Sequence, residues 1–267
     1  MTSALLHTVD NTLLGLCGLG YFRLTRDATI LERADYLAHY VRHAPQPRVS
    51  ILDVGCGSSA TLLWLQQAAD KVASYLGVDR NVEGQDSRFE NFPVSHAFRS
   101  VDLDQPWDFG RFDLVSCLEV LEHLVDDRPV FAKLCSQVAP NGRLLVSTPS
   151  TPFVARMGKI IPGFDRISPT QDGDHVRMGY TVDDFQAMAE ANDMEILSVD
   201  WLSRYAPEEL RESFHAQGAP QRLWQNLRRP RTNLEDAWVI GGDPGTHADT
   251  YWSIGIYMKR RGQPSNG

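Results

Sequence analysis

Ile51-Leu-Asp-Val-Gly-Cys-Gly-Ser-Ser59 carries an apolar strand into an acid, Asp53, and then into two glycines one residue apart. Glycine has no Cβ and reaches positive φ without strain, so Gly55 and Gly57 turn the backbone sharply toward a following helix. Main-chain N–H groups at such a strand–turn–helix junction, including that of Cys56, approach a ligand with no side chain in the way. Asp53 is predicted to put negative charge beside that approach. A loop built only for a pyrophosphate would not carry it.

Strand and helix signals alternate outward from this junction. Val49–Val54 reads as the first strand, Ala60–Ala69 as its helix, and Tyr75–Val78 as a short second strand ending at Asp79. A weaker third strand falls within Val94–Val101, and Phe112–Cys117 is the fourth. Glu119–Val138 reads as one or two helices broken by Pro129, and Pro140-Asn-Gly142 turns into a fifth strand over Arg143–Ser147. Thr181 is a predicted N-cap, with Asp184 completing an approximate capping box. Glu195–Leu202 and Tyr251–Met258 read as the last two strands. This alternation implies an α/β fold with a mainly parallel sheet and helices on both faces. The predicted organisation is a helical cap over residues 1–46, a core over 47–202, an insertion over 203–250, a last core strand over 251–259 and a disordered polar tail over 260–267.

The Ile51–Ser59 stretch resembles motif I of the class I S-adenosylmethionine-dependent methyltransferases. Gly55-Cys-Gly57-Ser-Ser-Ala60 also satisfies the dinucleotide fingerprint G-x-G-x-x-G/A, and Asp79 stands where an acid meets ribose hydroxyls in either family. Asp53 favours the methyl donor, which carries an ammonium and a sulfonium and no phosphate. The resemblance implies a Rossmann-like sheet of seven strands, one of them antiparallel. It further implies a donor site drawn from Asp53, Gly55, Cys56, Gly57, Asp79, Arg80 against the adenine, Asp102 on the adenine amino group, Leu103 through its N–H, and Leu118 beside the methionine part. Asp104 competes with Asp102 for its role.

Cys117-Leu-Glu-Val-Leu-Glu-His123-Leu puts Glu119, Glu122 and His123 at i, i+3 and i+4, which predicts one shared helix face at the carboxyl edge of the sheet. Together with Val138-Ala-Pro-Asn-Gly-Arg-Leu-Leu-Val-Ser-Thr-Pro149, this element resembles ubiquinone-biosynthesis-type O-methyltransferases. It is similar, more distantly, to the E-x-x-E-H element of small-RNA 2′-O-methyltransferases, in which a downstream histidine completes a metal site. His175 stands in a comparable place. Glu119, Glu122, His123 and His175 are therefore the candidate ligands of a divalent metal such as Mg²⁺. Without a metal, His123 is the first candidate general base and His175 the second, with Glu119 beside them. The acceptor implied by the resemblance is a small hydroxylated metabolite. RNA, or a non-catalytic binding role, stands as the alternative.

A net charge of −8 argues against a general nucleic-acid binder, whose affinity rests on phosphate neutralisation. Basic and aromatic residues of the segment after strand five (Arg156, Lys159, Phe164, Arg166) and the Arg222, Arg228, Arg229, Arg231 cluster around Trp224 are candidate contacts for a polar or anionic acceptor. The four cysteines include no C-x-x-C pair and read as reduced, buried thiols. The apolar run Thr12–Leu24 is too short to span a bilayer and follows no basic leader, so the expected location is cytoplasmic. The oligomeric state is left open, a homodimer included.

Overall fold

The computed structural model describes residues 28–83, 85, 89–170, 174–204 and 238–262. Expectations for residues 1–27, for the basic cluster around Trp224, for most of the predicted insertion and for residues 263–267 lie outside the described residues.

Eight strands form one sheet in the order β3-β2-β1-β4-β5-β8-β6-β7. They are β1 (Val49–Val54), β2 (Val72–Asp79), β3 (His96–Ser100), β4 (Phe112–Leu118), β5 (Val138–Pro149), β6 (Met194–Arg204), β7 (Trp238–Val239) and β8 (Tyr251–Arg260). The strands from β3 to β5 pair in parallel, while β8 runs antiparallel to both β5 and β6. One strand more than expected is present. The two-residue β7 pairs antiparallel with Trp201 and Leu202 at the sheet edge, and two residues are too few to leave a periodic signal. Arg260, expected to begin a disordered tail, instead ends β8, and its guanidinium donates to the Cys135 and Val138 carbonyls (2.7 and 3.4 Å).

Among the described residues the α-helices are α1 (Ala28–Arg42), α2 (Ala60–Leu65), α3 (Asp127–Ser136), α4 (Thr151–Gly158), α5 (Val182–Ala191) and a single turn, α6 (Pro244–His247). Strand residues point alternately to opposite faces. Leu52 and Val54 accordingly join the core under α3 and α5, whereas Val49 and Ile51 join the core under α1 and α2. The predicted α2 stops early and continues as a 3₁₀ stretch, Gln66–Lys71. The Thr181 capping box is present: Thr181 Oγ1 accepts the Asp184 N–H (3.2 Å) and Asp184 accepts the Thr181 N–H (2.9 Å). Pro129 does not break a helix. It lies in the first turn of α3, where no intrahelical N–H bond is required.

α1 is anchored by polar as well as apolar contacts. Tyr36 and Tyr40 both donate to the buried Asp200 carboxylate of β6 (2.6 and 2.5 Å). Asp35 accepts from the Trp64 indole of α2 (3.0 Å). Among the described residues, no helix is long and apolar enough to cross a membrane.

Candidate active site

The strand order reverses between β1 and β4, and the glycine turn lies at the carboxyl end of β1, beside that crevice. Gly55 has φ +75° and Gly57 has φ +51°. A Cβ on Gly55 would come within 2.2 Å of a Val120 methyl, so both conformation and space demand glycine here. The Gly55 and Cys56 N–H groups donate to the Val78 carbonyl (2.8 and 3.1 Å), which ties the turn to β2. Asp79, at the end of β2, accepts the Gly57 N–H (3.0 Å) on one oxygen and the Asn81 N–H (3.1 Å) on the other.

A cavity of about 380 Å³ opens here, and its walls include Gly55, Asp79, Arg80, Leu103, Glu119 and His123. Donor-site candidates and two of the catalytic candidates, Glu119 and His123, thus share one space. Asp53, Cys56, Gly57, Asp102, Leu118, Glu122 and His175 do not line it.

Asp53 departs from the expectation of charge beside the ligand. It is buried, and its carboxylate accepts hydroxyls from Thr61 (2.5 Å), Tyr75 (2.6 Å) and Ser116 (2.7 Å). Burial raises its pKa, against the pull of those three hydrogen bonds. It braces β1, β2 and β4 beneath the turn. Arg80 bridges both competing acids, at 3.1 Å from Asp102 and 3.5 Å from Asp104. Asp102 also accepts the Asp104 N–H (3.3 Å). That bond and Arg80 hold its carboxyl below the usual range.

The Glu-Val-Leu-Glu-His element is not one helix. Glu119 takes the left-handed conformation (φ +57°), and only Leu121–His123 form a 3₁₀ turn. The reason is long-range: the Glu119 N–H donates to the Ser147 carbonyl of β5 (2.8 Å), which extends the sheet ladder past the end of β4. The Glu119 carboxylate accepts the Ser147 hydroxyl (2.9 Å) and pairs with Arg33 of α1 (2.9 Å).

Glu122 is fully buried, and neither carboxylate oxygen has a hydrogen-bond partner among the described residues. Burial, reinforced by the nearby Glu119 charge, raises its pKa well above the usual value. His123 Nε2 lies 3.8 Å from Glu122 Oε1, and the His123 and His175 rings stand 4.7 Å apart, nearly perpendicular. One ligand atom from each of Glu122, His123 and His175 falls within 4.8 Å of the others. His123 Nδ1 lies 3.1 Å from the Asp174 carbonyl, which can only accept. In neutral His123, the Nδ1–H donates there and the Nε2 lone pair is left for a proton or a metal. Burial, with His123 adjacent, lowers the His175 pKa and favours the neutral, ligating imidazole.

Sequence reasoning missed the residues that assemble this cluster. Arg177 donates to the Leu124 and Val125 carbonyls (2.6 and 3.1 Å) and pairs with Asp127 (3.0 Å). The Val176 N–H donates to the Glu122 carbonyl (2.9 Å), and the Tyr180 hydroxyl reaches the Leu121 carbonyl and Asp127 (3.2 and 2.7 Å). These contacts bolt the loop carrying His175 onto the turn carrying Glu122 and His123. No local pattern signals them. Two other acceptor candidates have contacts within the fold. Arg156 donates to the Asp249 carbonyl (2.8 Å), and Phe164 packs edge-on against Trp252.

A family model described as a methyltransferase domain matches residues 25–219, well over half of the chain. The chain belongs to this methyltransferase domain family, and its fold is that of the class I S-adenosylmethionine-dependent enzymes. It is 27% identical over 111 residues to a ubiquinone biosynthesis O-methyltransferase of Rickettsia akari (strain Hartford), covering 42% of this chain and 43% of that one. The match thus spans less than half the length of that relative. Among solved structures, the small RNA methyltransferase HEN1 superimposes with a TM-score of 0.55 at 16% identity, over 87% of this chain and 26% of that one. The SAH-bound magnesium protoporphyrin IX methyltransferase of Synechocystis PCC 6803 gives 0.52 at 18%, over 95% and 99%. At these identities the two structures show a shared fold alone.

Proposed function

We propose that this chain transfers the methyl group of S-adenosylmethionine to a hydroxyl oxygen of a small metabolite. One observation carries the reading: a single cavity reaches from Gly55 and Asp79 to Glu119 and His123. The glycine turn and Asp79 would receive the donor, with the Asp79 carboxylate offering its remaining lone pairs to the ribose. The donor's sulfonium already activates the methyl carbon. The protein's task is then alignment, which supplies roughly 7–11 kcal/mol of barrier reduction in well-oriented reactions.

A hydroxyl acceptor must also lose its proton. His123 is suited to take it, because the Asp174 carbonyl orients the ring so that, in the neutral imidazole, Nε2 is the accepting nitrogen. One carboxylate and two imidazoles, with both Glu122 oxygens unpartnered among the described residues, also fit a divalent cation, and the mixed donor set suits Mn²⁺, Fe²⁺ or Zn²⁺ better than Mg²⁺. Such an ion would lower the acceptor hydroxyl's pKa. Glu122, His123 and His175 would hold it, and the Arg177 clamp would keep them in place.

The test supplies methyl-labelled donor with hydroxylated metabolite pools and, separately, short RNAs, each with chelator and after Mn²⁺ add-back. Label in a small hydroxyl compound is expected. Label only in RNA would replace this reading with 2′-O-methylation, for which the Glu122–His123–His175 cluster is the favouring observation. Donor binding without transfer to either pool would point to a binding protein on the same fold. Activity insensitive to chelator would remove the ion and leave His123 as base.

A further inference from the structure

We propose that Arg33 holds Glu119 out of the cation site, so that the chain ligates its ion through three side chains, Glu122, His123 and His175, and not four. The inference rests on the reading of that cluster as a cation site and goes beyond it by assigning a role to α1.

The ligand atoms of Glu122, His123 and His175 lie within one small sphere, and Glu119 is not part of that group. Its carboxylate is engaged on both oxygens, by the Ser147 hydroxyl on one and the Arg33 guanidinium on the other. Its backbone is pinned too, through the N–H bond to the Ser147 carbonyl. A non-glycine residue stays in the left-handed region only where its surroundings over-determine it, and here two groups of Ser147 and one of Arg33 do so.

Arg33 does not reach this site as a loose surface side chain. It extends from a helix fixed by Tyr36 and Tyr40 on Asp200 and by Asp35 on Trp64. The pair is largely shielded, with side-chain exposures of 18% for Arg33 and 10% for Glu119, so solvent screens it little. The Arg33 Nε atom is buried and lacks a partner among the described residues. Moving Glu119 to an ion would leave this guanidinium with even less compensation, which is costly for a buried charge. Arg33 thus supplies Glu119's counter-charge in place of the ion. Three protein ligands leave more coordination positions open to an acceptor than four would.

The test is Mn²⁺ titration of the full chain saturated with S-adenosylhomocysteine, followed by calorimetry and by loss of the free Mn²⁺ resonance signal. Arg33→Met should release Glu119 to the ion and tighten Mn²⁺ binding by about tenfold, because affinity follows ligand charge and number. The gain should vanish in the Arg33→Met/Glu119→Gln double variant. Glu119→Gln alone should stay within about threefold of the unaltered chain, and so should Arg33→Lys, which keeps the charge if Arg33→Met proves unfolded. Weakening of about tenfold or more by Glu119→Gln alone would show Glu119 to be a ligand already and overturn the proposal. An unchanged affinity in folded Arg33→Met would overturn it as well. If the unaltered chain binds S-adenosylhomocysteine but takes up no Mn²⁺, the cation reading itself falls, and this inference with it.

Discussion

Asp53 and Glu122 are both buried carboxylates within a few residues of a strand's carboxyl end, and the protein treats them in opposite ways. Asp53 accepts three hydroxyls drawn from α2, β2 and β4, and it braces the floor of the glycine turn. Neither Glu122 oxygen makes a hydrogen bond among the described residues, although Glu122 is at least as buried. A satisfied buried acid holds strands together; an unsatisfied one beside two imidazoles costs stability and keeps lone pairs available. The floor beneath the glycine turn is thus internally satisfied, whereas Glu122 and the two imidazoles that the Arg177 and Tyr180 contacts hold beside it are not.

The contrast is broken most severely at His123. His123→Ala should lower turnover by about 100-fold or more, the usual weight of a positioned acid–base group, while calorimetry shows S-adenosylhomocysteine affinity nearly unchanged. Turnover that survives would reduce this cluster to scaffolding. At the donor end the pattern should invert. Asp79→Ala should weaken S-adenosylhomocysteine by at least about tenfold, roughly 1.4 kcal/mol, and leave Mn²⁺ binding intact; unchanged donor affinity would remove Asp79 from the ribose.

Glu122→Gln tests the stability side. Replacing an uncompensated acid by a neutral amide of the same size should stabilise the metal-free fold by about 1 kcal/mol, which is a rise of about 2–4 °C for a chain of this size. Thermal unfolding in chelator reads it directly, and a lower midpoint would mean that the carboxyl has a structural role.

The smallest expected effect belongs to Asp53. Its carboxyl is raised above the ordinary aspartate value of 3.8, so the folded chain binds this proton more tightly than the unfolded chain does. The resulting stabilisation is complete below that ordinary value and is lost as pH rises through the folded one. Urea unfolding at about pH 4 and about pH 6 should show a shallower decline for Asp53→Asn than for the unaltered chain. Parallel declines would show that the three hydroxyl bonds outweigh burial.

Features set by a few adjacent residues are legible in the sequence. A strand followed by Gly-x-Gly has few conformations open to it, and a threonine three residues before an acid caps a helix wherever its surroundings allow. Alternation of strands and helices likewise gave the mainly parallel sheet, although the two residues of β7 were too few to register.

The Glu119–His123 segment is the instructive failure. Its i, i+3, i+4 spacing is helical by every local rule, yet Glu119 stands in the left-handed region with its side chain turned to Arg33. A local period describes what the backbone prefers when nothing else competes. Here the Ser147 carbonyl on a neighbouring strand and a guanidinium from α1 compete, and both are remote in the chain.

By itself, then, the sequence determined the glycine turn, the acid at the end of β2 and the class of fold, because each depends on dihedral freedom and periodicity within a few residues. Only the tertiary structure decided that Asp53 is a brace, that Glu122 has no hydrogen-bond partner among the described residues and that Glu119 belongs to Arg33. Those outcomes depend on which distant groups arrive within hydrogen-bond reach, and no short stretch of sequence encodes that.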